Sequence, residues 1–171
     1  EMRLAVKALL DYDGPAYMRL GRSAVEVVTD RVEGYRFELG KGVVLADGSD
    51  VTVVAVGLMV QVALQAREEM AKEGVSVRVI DMHTVKPLDG ALIERAVRET
   101  GCIVTSEEHN VIGGLGGAVA EYVAEHCPAP VIRHGVADEF GRSGKAAEVL
   151  DAYGLNVGGL CEKIRLALKK K

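Results

Sequence analysis

The chain has little cysteine, and none of it is paired: Cys102, Cys127 and Cys161 are scattered, odd in number and never in a Cys-x-x-Cys arrangement. Zinc ribbons and dithiol redox centres need closely spaced thiols, so both are disfavoured, and the three read as buried reduced thiols of a cytoplasmic protein. No apolar run approaches the roughly 20 residues that span a bilayer. The amino end lacks the charged, apolar, small-residue order of a signal peptide. Positive charge is not in excess either. The net charge of −4 argues against a dedicated nucleic-acid or anionic-membrane surface. The missing Gly-x-Ser-x-Gly elbow disfavours an α/β-hydrolase. Among His83, His109, His126 and His134 no pair has the i, i+4 spacing of a helical metal site. Repeats and low-complexity tracts are absent. What remains, 49% apolar and 27% charged residues over 171 positions, suits one well-cored domain plus a remnant of another.

The hydrophobic pattern begins with an amphipathic helix over residues 2–10, with Leu4, Ala5, Ala8 and Leu9 on one side. Asp13-Gly14-Pro15 punctuates it, and Ala16 to Leu20 reads as a short strand. A helix and strand with no preceding βα unit would lack sheet neighbours, which points to a chain cut from a larger protein; the alternative is that the strand docks onto the later sheet. Residues 23–49 are rich in glycine and charge and read as a linker. Inside it Gly42 to Leu45 suits an edge strand, with Asp47-Gly48 as its hairpin turn.

From Asp50 the pattern becomes regular. Strands are expected at Val51–Val56, Val75–Asp81, Cys102–Ser106 and Pro130–Gly135. Helices are expected between them: after Gly57 up to Gly74, from Pro87 with Asp89 in its first turn up to Gly101, and from Gly113–Gly117 onward. Two shorter helices close the chain, Ala146 to Tyr153 with Ser143 as its cap and about Val157 to Ala167 capped by Asn156. Three βα units feeding a fourth strand imply a mostly parallel sheet covered by helices, an α/β fold.

Several clusters invite chemistry. The turn Glu107-Glu108-His109-Asn110-Val111-Ile112-Gly113-Gly114-Leu115-Gly116-Gly117 carries Gly114-x-Gly116 between a strand and a helix. A dinucleotide fingerprint fails here, because Val119 stands where the third glycine belongs and two glutamates would repel a pyrophosphate. Glu107, Glu108 and His109 instead suggest a polar network at a domain contact, with His109 the best placed imidazole. Gly141-Arg142-Ser143-Gly144-Lys145 is a faint echo of a phosphate loop without its spacing. Arg19 and Arg22 follow the first expected strand, where a guanidinium can grip an anion bidentately or simply face solvent.

At these residues a resemblance emerges. Gly14-Pro15-Ala16-Tyr17-Met18-Arg19-Leu20-Gly21-Arg22 resembles the end of the pyrimidine-binding domain of transketolase-type enzymes. Asp50 to Gly57 is similar to the opening of their carboxy-terminal domain. Asp81-Met82-His83-Thr84-Val85-Lys86-Pro87-Leu88-Asp89 and the Glu107 to Gly116 turn are similar to its two most recognisable segments. Phe140-Gly141-Arg142-Ser143-Gly144, Leu150 and Tyr153-Gly154 resemble its closing stretch. The wording of the Gly-rich turn is most similar to transketolases split into two polypeptides.

The resemblance implies residues 1–22 as the tail of the pyrimidine-binding domain, 23–49 as a linker and 50–171 as the carboxy-terminal domain. That domain is a three-layer α/β sandwich around a mixed, mostly parallel sheet of about five strands. It implies a transferase that moves two-carbon ketol units between sugar phosphates, with thiamine diphosphate and a divalent metal such as Mg²⁺ bound by domains outside this chain. This chain would then be inactive alone, serving structure and homodimer contacts beside an amino-terminal section. Arg22 aligns with the arginine that binds the substrate phosphate, although Gly21 replaces a serine frequent in animal and fungal members. The related readings are deoxyxylulose-phosphate synthase, which typically has Pro-Arg-Gly at Gly21-Arg22-Ser23, and a 2-oxoacid dehydrogenase β-component. A stand-alone interaction or regulatory domain is the reading of another class, and a nucleotide-binding protein a further one.

Overall fold

The computed structural model describes residues Glu1–Lys171. After helix α1 (Met2–Leu10), the ordered core comprises β1 (Val43–Ala46), β2 (Val51–Ala55), α2 (Leu58–Lys72), β3 (Val77–Asp81) and α3 (Gly90–Thr100). It continues through β4 (Ile103–Asn110), α4 (Leu115–His126), β5 (Val131–Val136), α5 (Ala146–Ala152) and α6 (Val157–Leu168). The five strands lie in the order β1-β3-β2-β4-β5. β2 pairs in parallel with β3 and β4, and β4 with β5, while β1 runs antiparallel along β3. The expected mixed, mostly parallel sheet is therefore present.

Alternation along each strand sorts the core into two. Val51, Val53 and Ala55 of β2, Val77 and Val79 of β3 and Val104 of β4 face α2 and α6, where Met59, Ala63, Met70, Leu160 and Ile164 are fully buried. Val54, Ile80 and Ile103 face the opposite way, onto Leu92, Ile93 and Ala96 of α3 and Leu115, Val119 and Val123 of α4. The period-2 pattern of a strand and the period-3.6 stripe of each helix thus make three layers. Several polar groups inside this packing are matched, although Thr105 Oγ1 is buried without a hydrogen-bond partner. Thr100 donates from Oγ1 to the Ala96 carbonyl at 2.8 Å, leaving its oxygen to accept from Thr52 Oγ1, also at 2.8 Å. Arg78, 8% exposed, reaches Asp47 through Nε at 3.2 Å and pairs with Glu99.

Several local expectations are corrected. Residues 16–20 form no strand; without a neighbouring strand their N–H and C=O groups have no ladder to join. Nor does α1 bury any residue, and its Met2, Leu4 and Val6 remain 43–54% exposed. Asp47-Gly48 is not a hairpin turn between paired strands, since β1 pairs with β3 and not with β2. Pro87 and Asp89 precede α3 rather than lying within it. Asp89 is its cap, its carboxylate accepting from Leu92 N at 3.2 Å. Ser143 caps nothing, because α5 starts after Lys145 with no side-chain cap. His83 is half-buried and stacks on Phe37, with ring centroids 4.4 Å apart. The third expected strand is longer than its apolar run: β4 continues to Asn110, which realigns with Val136 beyond an irregularity.

Gly48 is where the chain presses closest on the sheet. A Cβ there would sit 2.2 Å from the Val77 carbonyl carbon and 2.3 Å from Arg78 N. Backbone cannot yield as a flexible side chain does, so Gly48→Ala is expected to destabilise the fold by about 1–3 kcal/mol. A urea-unfolding midpoint measured beside the parent protein checks this.

Candidate functional site

In an open parallel sheet the carboxyl ends of the strands are the free edge of the core, since helices cover both faces. Here that edge presents the end of β4 with Glu107 to Asn110, the end of β5 at Val136, and the two loops that follow. Glu107 is 2% exposed, and its two carboxylate oxygens each accept a backbone N–H at 2.7 Å, from Leu115 and Gly116. These are first-turn N–H groups of α4, which has no intrahelical acceptor for them. A carboxylate from the neighbouring strand therefore caps α4 and complements its dipole. Gly114 and Gly116 are required by this contact: a Cβ at either would lie 2.1 and 3.0 Å from the Glu107 oxygens. The N-terminus where a nucleotide's pyrophosphate would bind is filled by the protein's own acid, which removes the structural basis for a dinucleotide site.

Glu108 and His109 point elsewhere. The Glu108 carbonyl accepts from Arg19 Nη2 at 2.9 Å, while His109 Nδ1 lies 2.9 Å from the Asn110 carbonyl on the exposed side. Glu107, Glu108 and His109 are adjacent on β4 but share no hydrogen bond among themselves. Asn110 continues the edge: Nδ2 donates to Asp138 Oδ1 at 3.0 Å and Oδ1 accepts from Ile112 N at 2.8 Å, which ties the Gly-rich turn to the loop after β5.

The Arg19 contact has a consequence for Arg22. It holds the irregular segment that carries both arginines against the end of β4. Arg22 there lines a cleft of about 760 Å³ together with Glu108, Val136, Arg142, Lys145 and Tyr153. Arg142 and Lys145 belong to the stretch that lacks the spacing of a phosphate loop. It is tertiary folding, not loop spacing, that brings them beside Arg22. The Arg142 guanidinium lies 5.3 Å from the centre of the Tyr153 ring, whose hydroxyl donates to the Phe140 carbonyl at 2.7 Å. The available sequence signal was two cations within four residues after the last strand.

Two further buried groups lie at this end and were not singled out from the sequence. His134, 3% exposed, sits between Ser106 Oγ (2.9 Å from Nδ1) and the Gly154 carbonyl (2.8 Å from Nε2). The carbonyl can only accept, so Nε2 carries the proton and Ser106 donates to Nδ1. Burial, more than any neighbouring charge, holds its pKa below the ordinary 6.5. Asp81 at the end of β3 is 3% exposed, and its carboxyl is pushed up, first by burial and then by the Glu1 carboxylate. No group of three or more His, Cys, Asp and Glu side chains converges as a metal site.

Comparison with known proteins follows this geometry. The family described as "Transketolase, C-terminal domain" matches residues 40–160. The "Putative transketolase C-terminal section" of Methanocaldococcus jannaschii is 40% identical over 97% of this chain and 52% of its own length. The 1-deoxy-D-xylulose-5-phosphate synthase of Heliobacterium modesticaldum is 37% identical over 96% of this chain and 26% of its own. A solved structure described as "Split gene transketolase, inactive beta4 tetramer" superposes with a TM-score of 0.94 at 45% identity, over 99% of this chain and 55% of that one. The chain thus spans about half the length of the first of these relatives and of the solved structure.

Two outcomes test this edge. Glu107→Gln replaces one of two acceptors with an N–H donor facing backbone N–H groups, and is expected to cost about 2 kcal/mol in chemical denaturation. His134 is neutral when folded and binds its proton more readily when unfolded. Its contribution is therefore complete above about pH 6.5 and is lost as pH falls through that value towards the lower folded pKa. Unfolding free energies measured from about pH 8 to about pH 5 should fall more steeply for the parent than for His134→Gln.

Proposed function

The chain belongs to the transketolase family and carries its carboxy-terminal domain; on that premise we propose that it is the carboxy-terminal part of a transketolase, working only together with an amino-terminal section. Thiamine diphosphate, held with a divalent ion such as Mg²⁺ by domains outside this chain, would supply the nucleophilic carbon for moving a two-carbon ketol unit between sugar phosphates.

What this chain contributes is binding and framework. Arg22 binds the substrate phosphate, and the observation that carries this reading is its place in the cleft at the strand ends. Arg19 pins the segment to the Glu108 carbonyl and so keeps Arg22 on the open edge of the sheet. A guanidinium presents paired N–H donors that match phosphate oxygens, with the charge assistance that an amide or hydroxyl lacks. Residues 1–22 then belong with the pyrimidine-binding domain, 23–49 link it, and 50–171 form the platform for homodimer contacts, in the cytoplasm. Glu108 and His109 face the interdomain side beside Glu107, whose carboxylate keeps the α4 turn in shape.

The likeness to deoxyxylulose-phosphate synthase supports a second reading of the same architecture, in which the chain is the equivalent domain of such a synthase. Combining the chain, extended to its full polypeptide, with its amino-terminal section separates them. Ketol transfer between two sugar phosphates is expected, and formation of 1-deoxy-D-xylulose 5-phosphate is the result that favours the second reading. Activity of neither kind, with the chain failing to associate with that section, would indicate an interaction domain instead. In the active assembly Arg22→Ala is expected to raise KM for a sugar phosphate by at least about tenfold, the worth of a lost charge-assisted hydrogen bond.

A further inference from the structure

Asp81 is a buried acid without a cation. It ends β3 at 3% exposure, flanked by Val43 of β1 and Ala55 of β2. It forms no ion pair with any Lys, Arg or His side chain. Lys41, just before β1, pairs instead with Asp89 at 3.8 Å. The group that does reach Asp81 has charge of the same sign: the Glu1 carboxyl, at the exposed start of α1, lies within hydrogen-bonding reach. Tyr35 joins from the linker stretch, its hydroxyl donating to Glu1 Oε2 at 3.4 Å. His83 adjoins from the loop after β3. Its Nδ1 lies 2.9 Å from Thr84 Oγ1, which also accepts from Gly40 N at 3.3 Å. The start of α1, the linker and the end of β3 thus meet at one carboxyl pair. Packing alone does not hold α1 there, since none of its residues is buried.

Two carboxylates in contact without a counter-ion do not both ionise, and the desolvated one keeps its proton. Tyr35 donates to Glu1 and favours the charge there, whereas burial favours the neutral form of Asp81. We propose that Asp81 carries the shared proton and donates it to the Glu1 carboxylate, making a proton-operated clasp that fastens α1 and the Tyr35 stretch to the carboxyl end of β3. An O–H···O⁻ bond is among the stronger hydrogen bonds, and losing its proton turns it into repulsion between like charges. Burial first and the Glu1 carboxylate second push Asp81 from 3.8 up to about 8. Burial keeps His83 below its ordinary 6.5, and burial followed by the Glu1 charge raises Tyr35 above its ordinary 10.0, so both are neutral around pH 8. The α-amino group of Glu1 opposes the shift and acts least of all; in a polypeptide that continues before Glu1 it is an amide, and the clasp is tighter. A carboxyl with a raised pKa in the docked form binds its proton more tightly there than when released to water. Docking is therefore strongest at low pH, weakens as pH rises from 3.8 towards about 8, and is weakest above it, where both forms are ionised. The clasp stands independently of any role for Arg22.

The test takes the full polypeptide and its Asp81→Asn and Glu1→Gln variants from about pH 5 to about pH 10. NMR of isotope-labelled carboxyl carbons reads the proton. Hydrogen exchange of residues 1–10, expressed as protection relative to the free-peptide rate, reads the docking. One carboxyl is expected to titrate near pH 8 in the parent, to be missing from Asp81→Asn and to titrate at lower pH in Glu1→Gln. Protection of residues 1–10 is expected to fall by up to about tenfold per pH unit as the parent approaches that value. In Asp81→Asn an amide N–H replaces the titrating donor, and protection is expected to stay within about twofold throughout. An Asp81 carboxyl that titrates in the ordinary carboxylate range overturns the clasp. So does a carboxyl that stays near pH 8 in Glu1→Gln, since burial alone then holds the proton. Protection that is flat in the parent, or pH dependence that survives in Asp81→Asn, has the same consequence. If Asp81→Asn folds poorly, Glu1→Gln, at an exposed position, decides the question: its protection must no longer fall near pH 8.

Discussion

Strand β2 lies at the centre of the sheet with every residue from Val51 to Ala55 fully buried, and it hydrogen-bonds in parallel to β3 on one side and β4 on the other. A strand in that position has no edge and no free face. Parallel neighbours can be joined only by crossovers, and right-handed crossovers carry helices over the sheet. Both faces are then closed by α2 and α6 on one side and α3 and α4 on the other. The strand ends are the remaining places where a polar side chain can be both anchored in the core and open to a ligand.

The same constraint explains why Glu107, which in sequence suggests a polar network at a domain contact, is engaged by α4 in space. It stands where β4 leaves the core, directly under the first turn of α4, whose free N–H groups need an acceptor. A buried carboxylate there is tolerated because two N–H groups satisfy it, at 2.7 Å each. Gly114 and Gly116 leave room for the carboxylate, which lies where their side chains would begin. His134 answers a related need: it bridges the end of β5 to the segment after α5 through Ser106 and the Gly154 carbonyl, and so positions the wall that carries Tyr153 and Arg142. Buried groups set the frame and exposed cations face the cleft. That division leaves the exposed cations on loops whose ends are rigid.

Family membership and cleft geometry meet at the domain boundary. The solved split-gene transketolase superposes on 99% of this chain, so the likeness extends to residues before the matched family domain at 40–160. In this fold those residues are irregular past α1, and they are held to the carboxy-terminal domain through specific contacts such as Arg19 to Glu108.

Much of the fold was legible in the residues themselves. The β-branched run from Val51, the helical stripes between the strands and the caps at Gly101 and Asn156 follow from local sterics and hydrogen bonding, and the structure contains each of them. These features depend on neighbours a few positions apart, which is the range a sequence displays. The family resemblance extended that reach, since it rests on the order of whole segments. What the residues did not disclose all depends on contacts between distant positions. Ala16 to Leu20 has strand chemistry but no ladder to join; β1 chooses β3 over its sequential neighbour β2; β4 runs on to Asn110 because β5 supplies partners for polar residues. Glu107 reads as a free acid until α4 folds over it. Arg22, Arg142 and Lys145 are far apart along the chain and become one surface only when Arg19 fastens its segment to β4. Local chemistry therefore determined the elements and their faces, whereas long-range pairing and desolvation decided which polar residues are consumed by the fold and which are left to bind.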